Sequence, residues 1–233
     1  MSEDIAKFNA ANAALGFVKD GMVIGLGTGS TSASFVRQLG ERVRQGLRVK
    51  GVPTSEATRN LAEQVGVPLL EISQVTSIDV DIDGADEVDS GFRLIKGGGG
   101  ALLREKIVAA ASKRMVVIAD ESKWVDTLGA FPLPVEVTRF GFALTQQRVH
   151  EALRATGCAG DEVTLRTSGK ANEPVITDGG NYILDAHAKR IPNAAALAAA
   201  LKQIAGVVEH GLFIGLAQTV IVGKAKGAEV KAL

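Results

Sequence analysis

Apolar residues near the start of the chain return every three or four positions, at Ile5, Phe8, Ala11, Leu15 and Val18. That period predicts an amphipathic helix over 3–19 with Lys7 off the stripe. Met22-Val-Ile-Gly-Leu26 is then a short apolar strand, Gly27-Thr-Gly-Ser-Thr31 a glycine turn, and Ala33 to Val43 resumes helical spacing. The order repeats with a strand at 47–52, a helix at 55–65, a strand at 78–82, a helix at 101–113 and a strand over Met115–Ala119. Strands alternating with helices predict a doubly wound, mostly parallel Rossmann-like sheet, which places ligands beyond the carboxyl ends of its strands.

The pattern changes at Phe131-Pro-Leu-Pro134, where two prolines in three residues suggest a domain boundary. Beyond it the sequence reads strand 134–138, helix 142–156, strand 162–167, strand 181–186, helix 193–204 and strand 207–213. This βαββαβ order is the ferredoxin-like split arrangement, with Thr177-Asp-Gly-Gly-Asn181 as hairpin chemistry between the middle strands. A last apolar stretch, Thr219–Val222, is free to rejoin the first sheet. The expected fold class is therefore α/β, a Rossmann-like domain of 1–130 and 214–233 carrying an inserted, smaller ferredoxin-like α+β domain of 131–213.

With 233 residues there is ample length for a core, and 26 basic against 26 acidic residues leave no net charge. No charge run breaks that balance, which argues against nucleic acid and against an anionic membrane surface, and for a small-molecule ligand. Cys158 is the single cysteine, so no intrachain disulfide can form. The first residues lack the basic start and apolar run of a signal peptide, and no stretch approaches the ~20 apolar residues of a membrane span. A cytoplasmic location is expected.

Chemistry concentrates in two neighbouring runs, Asp83-Gly-Ala-Asp-Glu87 and Lys96-Gly-Gly-Gly-Gly100-Ala-Leu-Leu-Arg-Glu-Lys106. Glycines let backbone N–H groups approach an anion or oxyanion, while Lys96 and Glu105 can supply an electrophile and a base. Asp83 and Asp86 follow a predicted strand, where the ligand crevice is expected. Glu105 lies about one turn into the next helix; the dipole favours its charge and desolvation opposes it, and sequence does not sign the sum. Asp79, Asp81, Glu87 and Asp89 read as ordinary surface or loop-bracing charges, and Lys123 as either a phosphate cation or a solvated lysine.

Two motif matches fail. Gly25, Gly27 and Gly29 begin a dinucleotide fingerprint, but Ser30 stands where the third spacing needs glycine, and no Gly-Lys-Ser/Thr follows. What remains is a generic anion site at a helix N-terminus, or a tight turn with a Ser or Thr cap. Asp79-Val-Asp-Ile-Asp-Gly84 opens like a calcium loop, yet position 12 is Ser90 rather than a bidentate Glu. His150, His187 and His210 show no paired ligand spacing, and no metal is expected. Trp124 and Tyr182 read as packing residues.

Taken together, Gly25-Leu-Gly-Thr-Gly-Ser-Thr31, Pro53-Thr-Ser-Glu-Ala57, Asp83–Glu87, Ile95-Lys-Gly-Gly-Gly99, Arg104-Glu-Lys106, Phe131–Val137 and Val207-Val-Glu-His-Gly-Leu-Phe213 resemble the type A ribose-5-phosphate isomerases along almost the whole chain. The resemblance implies interconversion of D-ribose 5-phosphate and D-ribulose 5-phosphate through a cis-enediolate, in the pentose phosphate pathway, with no metal, no organic cofactor and usually a homodimer. It implies Glu105 as the base, with Asp83, Asp86 and Lys96 around the sugar oxygens. Thr28, Gly29, Ser30, Thr31, Gly84, Ala85, Gly97, Gly98, Gly99 and Lys123 would hold substrate. Rival readings are a non-catalytic sugar-phosphate sensor, which would carry a DNA-binding segment, and a related amino-sugar-phosphate isomerase or a CoA transferase, the last using a glutamate nucleophile.

Overall fold

The computed structural model describes residues 2–169 and 172–233. In chain order its elements begin with α1 (Ser2–Ala14), β1 (Val23–Leu26), α2 (Ser30–Arg44), β2 (Lys50–Pro53), α3 (Glu56–Val65) and β3 (Val80–Gly84). There follow β4 (Glu87–Val88), β5 (Leu94–Ile95), α4 (Leu102–Ala111), β6 (Met115–Asp120), β7 (Leu133–Val137), α5 (Phe142–Ala155) and β8 (Glu162–Leu165). The remainder is β9 (Thr167–Ser168), β10 (Glu173–Pro174), β11 (Tyr182–His187), α6 (Ala194–Lys202), β12 (Val207–His210), β13 (Leu212–Phe213), β14 (Ala217–Lys224) and β15 (Gly227–Ala232). They group into two compact units: the chain up to Ala85 with Arg104–Trp124 and Gly215–Leu233, and Asp86–Leu103 with Val125–Ile214.

The first unit holds a six-stranded sheet in the order β15-β14-β6-β3-β1-β2. Every pair is parallel except β14 with β15, as the alternating pattern predicts. Strand order reverses between β1 and β3, which makes the loops after those strands the expected ligand crevice of a doubly wound sheet. On one face Ile24, Leu26, Val80, Ile82, Val116 and Ile118 pack against Phe35, Val36 and Leu39 of α2. On the other, Val108 of α4 packs with Val52 and Ile78.

The first helix differs from its periodicity. Ile5 and Phe8 are about half exposed, and the inward face is Ala6, Ala10, Ala11 and Ala14. The reason is close approach: a Cβ on Gly223 of β14 would collide with the Ala6 carbonyl and lie 3.0 Å from the Ala10 Cβ. Only alanine fits at that spacing. The α-helix also stops at Ala14, with Leu15–Phe17 tightening into a 3-10 turn.

The second unit contains an antiparallel sheet ordered β12-β7-β11-β8. Counted along the chain this is fourth, first, third, second, the ferredoxin-like order expected from βαββαβ. Val149 and Leu153 of α5 and Leu197 and Leu201 of α6 join its core with Leu133, Val135 and Leu184. The predicted strand 207–213 is divided. Its first half pairs with β7, while Leu212–Phe213 pairs with β5 in a small sheet ordered β13-β5-β4. The break is at Gly211, which donates to the Pro134 carbonyl at 2.8 Å and accepts from Lys96 N at 2.9 Å. The edge strand β15 escaped the sequence reading because most of its residues are exposed; it is held by main-chain pairing with β14, by the Lys224–Glu229 ion pair and by Lys231 over the Trp124 ring.

Candidate active site

In the first unit, the turn after β1 and the turn after β3 are hydrogen-bonded to each other. Asp83, fully buried, accepts on Oδ1 from Thr28 N at 3.1 Å, Gly84 N at 2.7 Å and Ser32 Oγ at 3.3 Å. Gly84 N also donates to Ser32 Oγ at 3.0 Å. Gly29 has φ +112°, a conformation that favours glycine, and as N-cap of α2 it lends no side-chain hydrogen bond. An N-terminus without a side-chain cap leaves its N–H groups to an anion. Exposed Ser30 and buried Thr31 begin that helix.

Thr28 is braced by residues that sequence reasoning named only inside a motif or not at all. Its Oγ1 lies 2.8 Å from both Thr54 Oγ1 and Ser55 Oγ and 3.3 Å from Thr58 Oγ1. Thr58 Oγ1 donates to the Gly27 carbonyl at 3.0 Å, and Ser55 Oγ caps α3 by accepting from Thr58 N at 3.1 Å. The available signal was Thr54-Ser-Glu-Ala57 directly after β2, a capping residue opening a helix at a strand's carboxyl end.

Glu105 is 3 % exposed in the first turn of α4. Lys123 sits half-buried in the 3-10 turn Glu121–Lys123 that follows β6. Asp120 shapes that turn, accepting on Oδ1 from Ser122 N at 3.0 Å and Ser122 Oγ at 2.5 Å. Asp79 is a brace, as expected: it accepts from Val23 N at 2.9 Å, and the Lys113 ammonium 2.8 Å away holds its carboxyl below the ordinary range. Asp81 is not a surface charge, being 0 % exposed in the middle of β3.

In the second unit Asp86 meets the glycine loop, accepting on Oδ2 from Gly98 N at 2.7 Å. Lys96, only 2 % exposed, directly follows β5, with its Nζ 5.4 Å above the Phe213 ring. Arg166 was absent from the sequence reading. It donates from Nη1 to the carbonyls of Gly97 at 2.8 Å and Gly98 at 3.1 Å, and its Nε pairs with Asp185 at 2.9 Å. A residue between β8 and β9, 69 positions away from the loop it shapes, gives no local signal. Glu87 and Asp89 are loop braces: Glu87 accepts from Gly129 N at 2.6 Å and Phe131 N at 2.5 Å, and Asp89 from Gly91 N at 3.0 Å and Arg93 Nε at 2.7 Å.

Thus Thr28, Ser30, Thr31, Asp83, Gly84, Glu105 and Lys123 belong to the first unit, and Asp86, Lys96 and Gly97–Gly99 to the second. Among the described residues no group of three His, Cys, Asp or Glu side chains is placed to hold a metal ion. His150 contacts the Asp161 carbonyl at 2.6 Å and His187 the Thr164 hydroxyl at 3.1 Å, local packing roles. Burial pushes the Cys158 thiol up, away from nucleophile chemistry.

The family model for ribose 5-phosphate isomerase A (phosphoriboisomerase A) matches residues 50–227. The chain belongs to the ribose 5-phosphate isomerase A family. It is 57 % identical over 224 residues to ribose-5-phosphate isomerase A of Maricaulis maris, covering 96 % of both chains. Against the Cereibacter sphaeroides protein of the same name it is 58 % identical, covering 96 % of this chain and 89 % of the relative. Among solved structures, ribose 5-phosphate isomerase A from Methanocaldococcus jannaschii superposes with TM-score 0.90 at 42 % identity over 100 % of both chains. A D-ribose-5-phosphate isomerase in complex with phospho-erythronic acid does so with TM-score 0.90 at 40 % identity, again over 100 % of both. The ribose 5-phosphate isomerase A family thus accounts for the parallel sheet and the ferredoxin-like strand order together.

Proposed function

We propose that this chain interconverts D-ribose 5-phosphate and D-ribulose 5-phosphate through a cis-enediolate. The observation that carries the reading is the full-length likeness, at 40 % identity, to an isomerase in complex with phospho-erythronic acid. That ligand is a four-carbon polyhydroxy acid phosphate. Its planar carboxylate puts charge where an enediolate would, the property by which transition-state analogues bind tightly.

An aldose–ketose isomerisation needs a base, stabilisation of charge on two oxygens and a phosphate anchor. Glu105 takes the C2 proton as the C1 carbonyl becomes an enediolate oxygen, and returns it to C1 as the C2 oxygen becomes the ketone. Asp83, Asp86 and Lys96 surround the sugar oxygens, exchanging their protons and stabilising their charge. Thr28–Thr31, Gly84, Ala85, Gly97–Gly99 and Lys123 hold the substrate. Supporting this assignment are the buried carboxylates of Asp83 and Glu105, the buried Lys96, and the helix N-terminus at Gly29 without a side-chain cap.

The catalytic division into 1–130 with 214–233 and an inserted 131–213, a homodimer and a cytoplasmic setting complete the proposal. Among the described residues no helix is long and apolar enough to cross a membrane. Purified, chelator-treated protein incubated with ribose 5-phosphate should produce ketose. Absence of ketose with folded protein would refute the activity, and analytical ultracentrifugation reads the assembly.

A further inference from the structure

Asp81 has no part in the chemistry above, yet it is wholly buried at the centre of the catalytic sheet. Its backbone N–H donates to the Arg114 carbonyl at 2.8 Å, so the strand is firmly seated. Val80 and Ile82 point into the core packed by α2, and strand alternation therefore puts the Asp81 carboxyl on the opposite face with Asp83. Room for it comes from β1. Gly25 is the register partner of Asp81, and a Cβ there would collide with Asp81 Oδ1 and lie 2.6 Å from Val108 Cγ1. The Asp81 carboxyl, Gly25 and α4 meet at one point.

Val108 and Glu105 are three residues apart on the buried face of α4, hence neighbours on the helix surface. The helix descends from the carboxyl ends of the strands, because Ser112 just past it bridges to Ile78, two residues before β3. Glu105 is thus about 4.5 Å above Val108, and Asp83 about 6.6 Å above Asp81. Three carboxyl groups share one buried face. Around them β1 offers only Gly25 and Gly27, and β6 faces Asp81 and Asp83 with Met115 and Val117 in register and ends in Asp120. On α4 the cations are Arg104, bound to Glu56 at 2.7 Å, and half-buried Lys106; just before β3, Asp79 is paired with Lys113.

We propose that Asp81 is a positioning residue for Glu105: its buried carboxyl shares the titration of Glu105 and so sets the pH at which the base becomes available. The proposal rests on the reading of Glu105 as the base. Like charges on two groups buried this close disfavour joint ionisation, and the protons of Asp81 and Glu105 leave in steps that belong to the pair. At an effective dielectric of about 20 and a separation of about 7 Å, full coupling moves a titration by about one to two pH units.

The test is Asp81→Asn, an isosteric change, with Asp81→Ser as a smaller replacement should the amide fail to fold, and Asp79→Asn as a control on the same strand. In Asp81→Asn the acid limb of the kcat/KM profile should move down by about one to two pH units, while Asp79→Asn leaves it in place. Carbon-13 NMR titration of the glutamate carboxyls, with Glu105 assigned from the spectrum of Glu105→Gln, should show the same displacement without reference to turnover. Failure of the wild-type protein to isomerise would sink the functional reading and leave the NMR result to decide the coupling. A Glu105 titration unchanged in Asp81→Asn, or moved equally by Asp79→Asn, overturns the proposal.

Discussion

Gly27 and Asp83 compete for one volume: a Cβ on Gly27 would collide with the Asp83 carboxyl and lie 2.6 Å from the Asp83 Cα. The second glycine of the Gly25-Leu-Gly-Thr-Gly run therefore serves close approach of a carboxylate between neighbouring strands rather than a nucleotide phosphate. Gly27→Ala should displace Asp83 from Thr28 N and Gly84 N and lower kcat by on the order of 10²-fold, the usual consequence of misplacing a reacting group by about 1 Å. Steady-state kinetics beside far-UV circular dichroism would check this; a folded variant with full kcat contradicts it.

Glu105→Gln should keep the fold and substrate binding but lose on the order of 10²–10⁴ in kcat, the contribution of a positioned acid–base group. Glutamine keeps the shape of the side chain and cannot accept a proton from C2. Solvent-deuterium exchange into the sugar is the decisive measurement. Near wild-type exchange in the variant would move the role of base to Asp83 or Asp86.

The two site lysines should separate kinetically. Lys96 is buried just after β5 and Lys123 half-buried in a turn, so Lys96→Ala should depress kcat while Lys123→Ala chiefly raises KM, the signature of lost uniform binding. The reverse pattern would exchange their roles.

Arg166 ties the glycine loop to the ferredoxin-like sheet through the Gly97 and Gly98 carbonyls and Asp185. Both partners of the ion pair are mostly buried, at 15 % and 18 % side-chain exposure. Arg166→Met strands Asp185 and both carbonyls, and should cost about 1–3 kcal/mol of stability together with a fall in kcat. Denaturant unfolding beside kinetics reads both, and an unchanged midpoint would show that the pair contributes nothing net.

Lys113 holds the Asp79 carboxyl below its ordinary value of 3.8. A folded-state value lower than the unfolded one contributes stability above pH ~4 that is lost as pH falls through the folded value. Lys113→Met should therefore lower the melting temperature slightly at pH 7, by no more than about 1 kcal/mol of stability for a partly exposed pair, and by less at pH 2. Thermal melts at both values test the sign; a larger loss at pH 2 would refute it.

The chain's own order of residues determined the α/β class and the ferredoxin-like strand order, and it supplied the residues proposed for the chemistry. These are local matters: hydrophobic period distinguishes helix from strand within ten residues, and the glycines, carboxylates and lysine of the site lie in runs along the chain. Tertiary structure decided what depends on distance between elements. It turned α1 so that Ala6 and Ala10 face the sheet and Phe8 faces water, because β14 passes too close for a larger side chain. It split the strand at Gly211 to seat Lys96, brought Arg166 to a loop 69 residues away, and assembled Thr54, Ser55 and Thr58 around Thr28. It also buried Asp81, which the sequence reads as an ordinary surface or loop-bracing charge, in the space left by Gly25 on the next strand. Packing between segments remote in sequence depends on which side chains are missing as much as on which are present, and a glycine reads the same whether it frees a turn or makes room for a carboxylate.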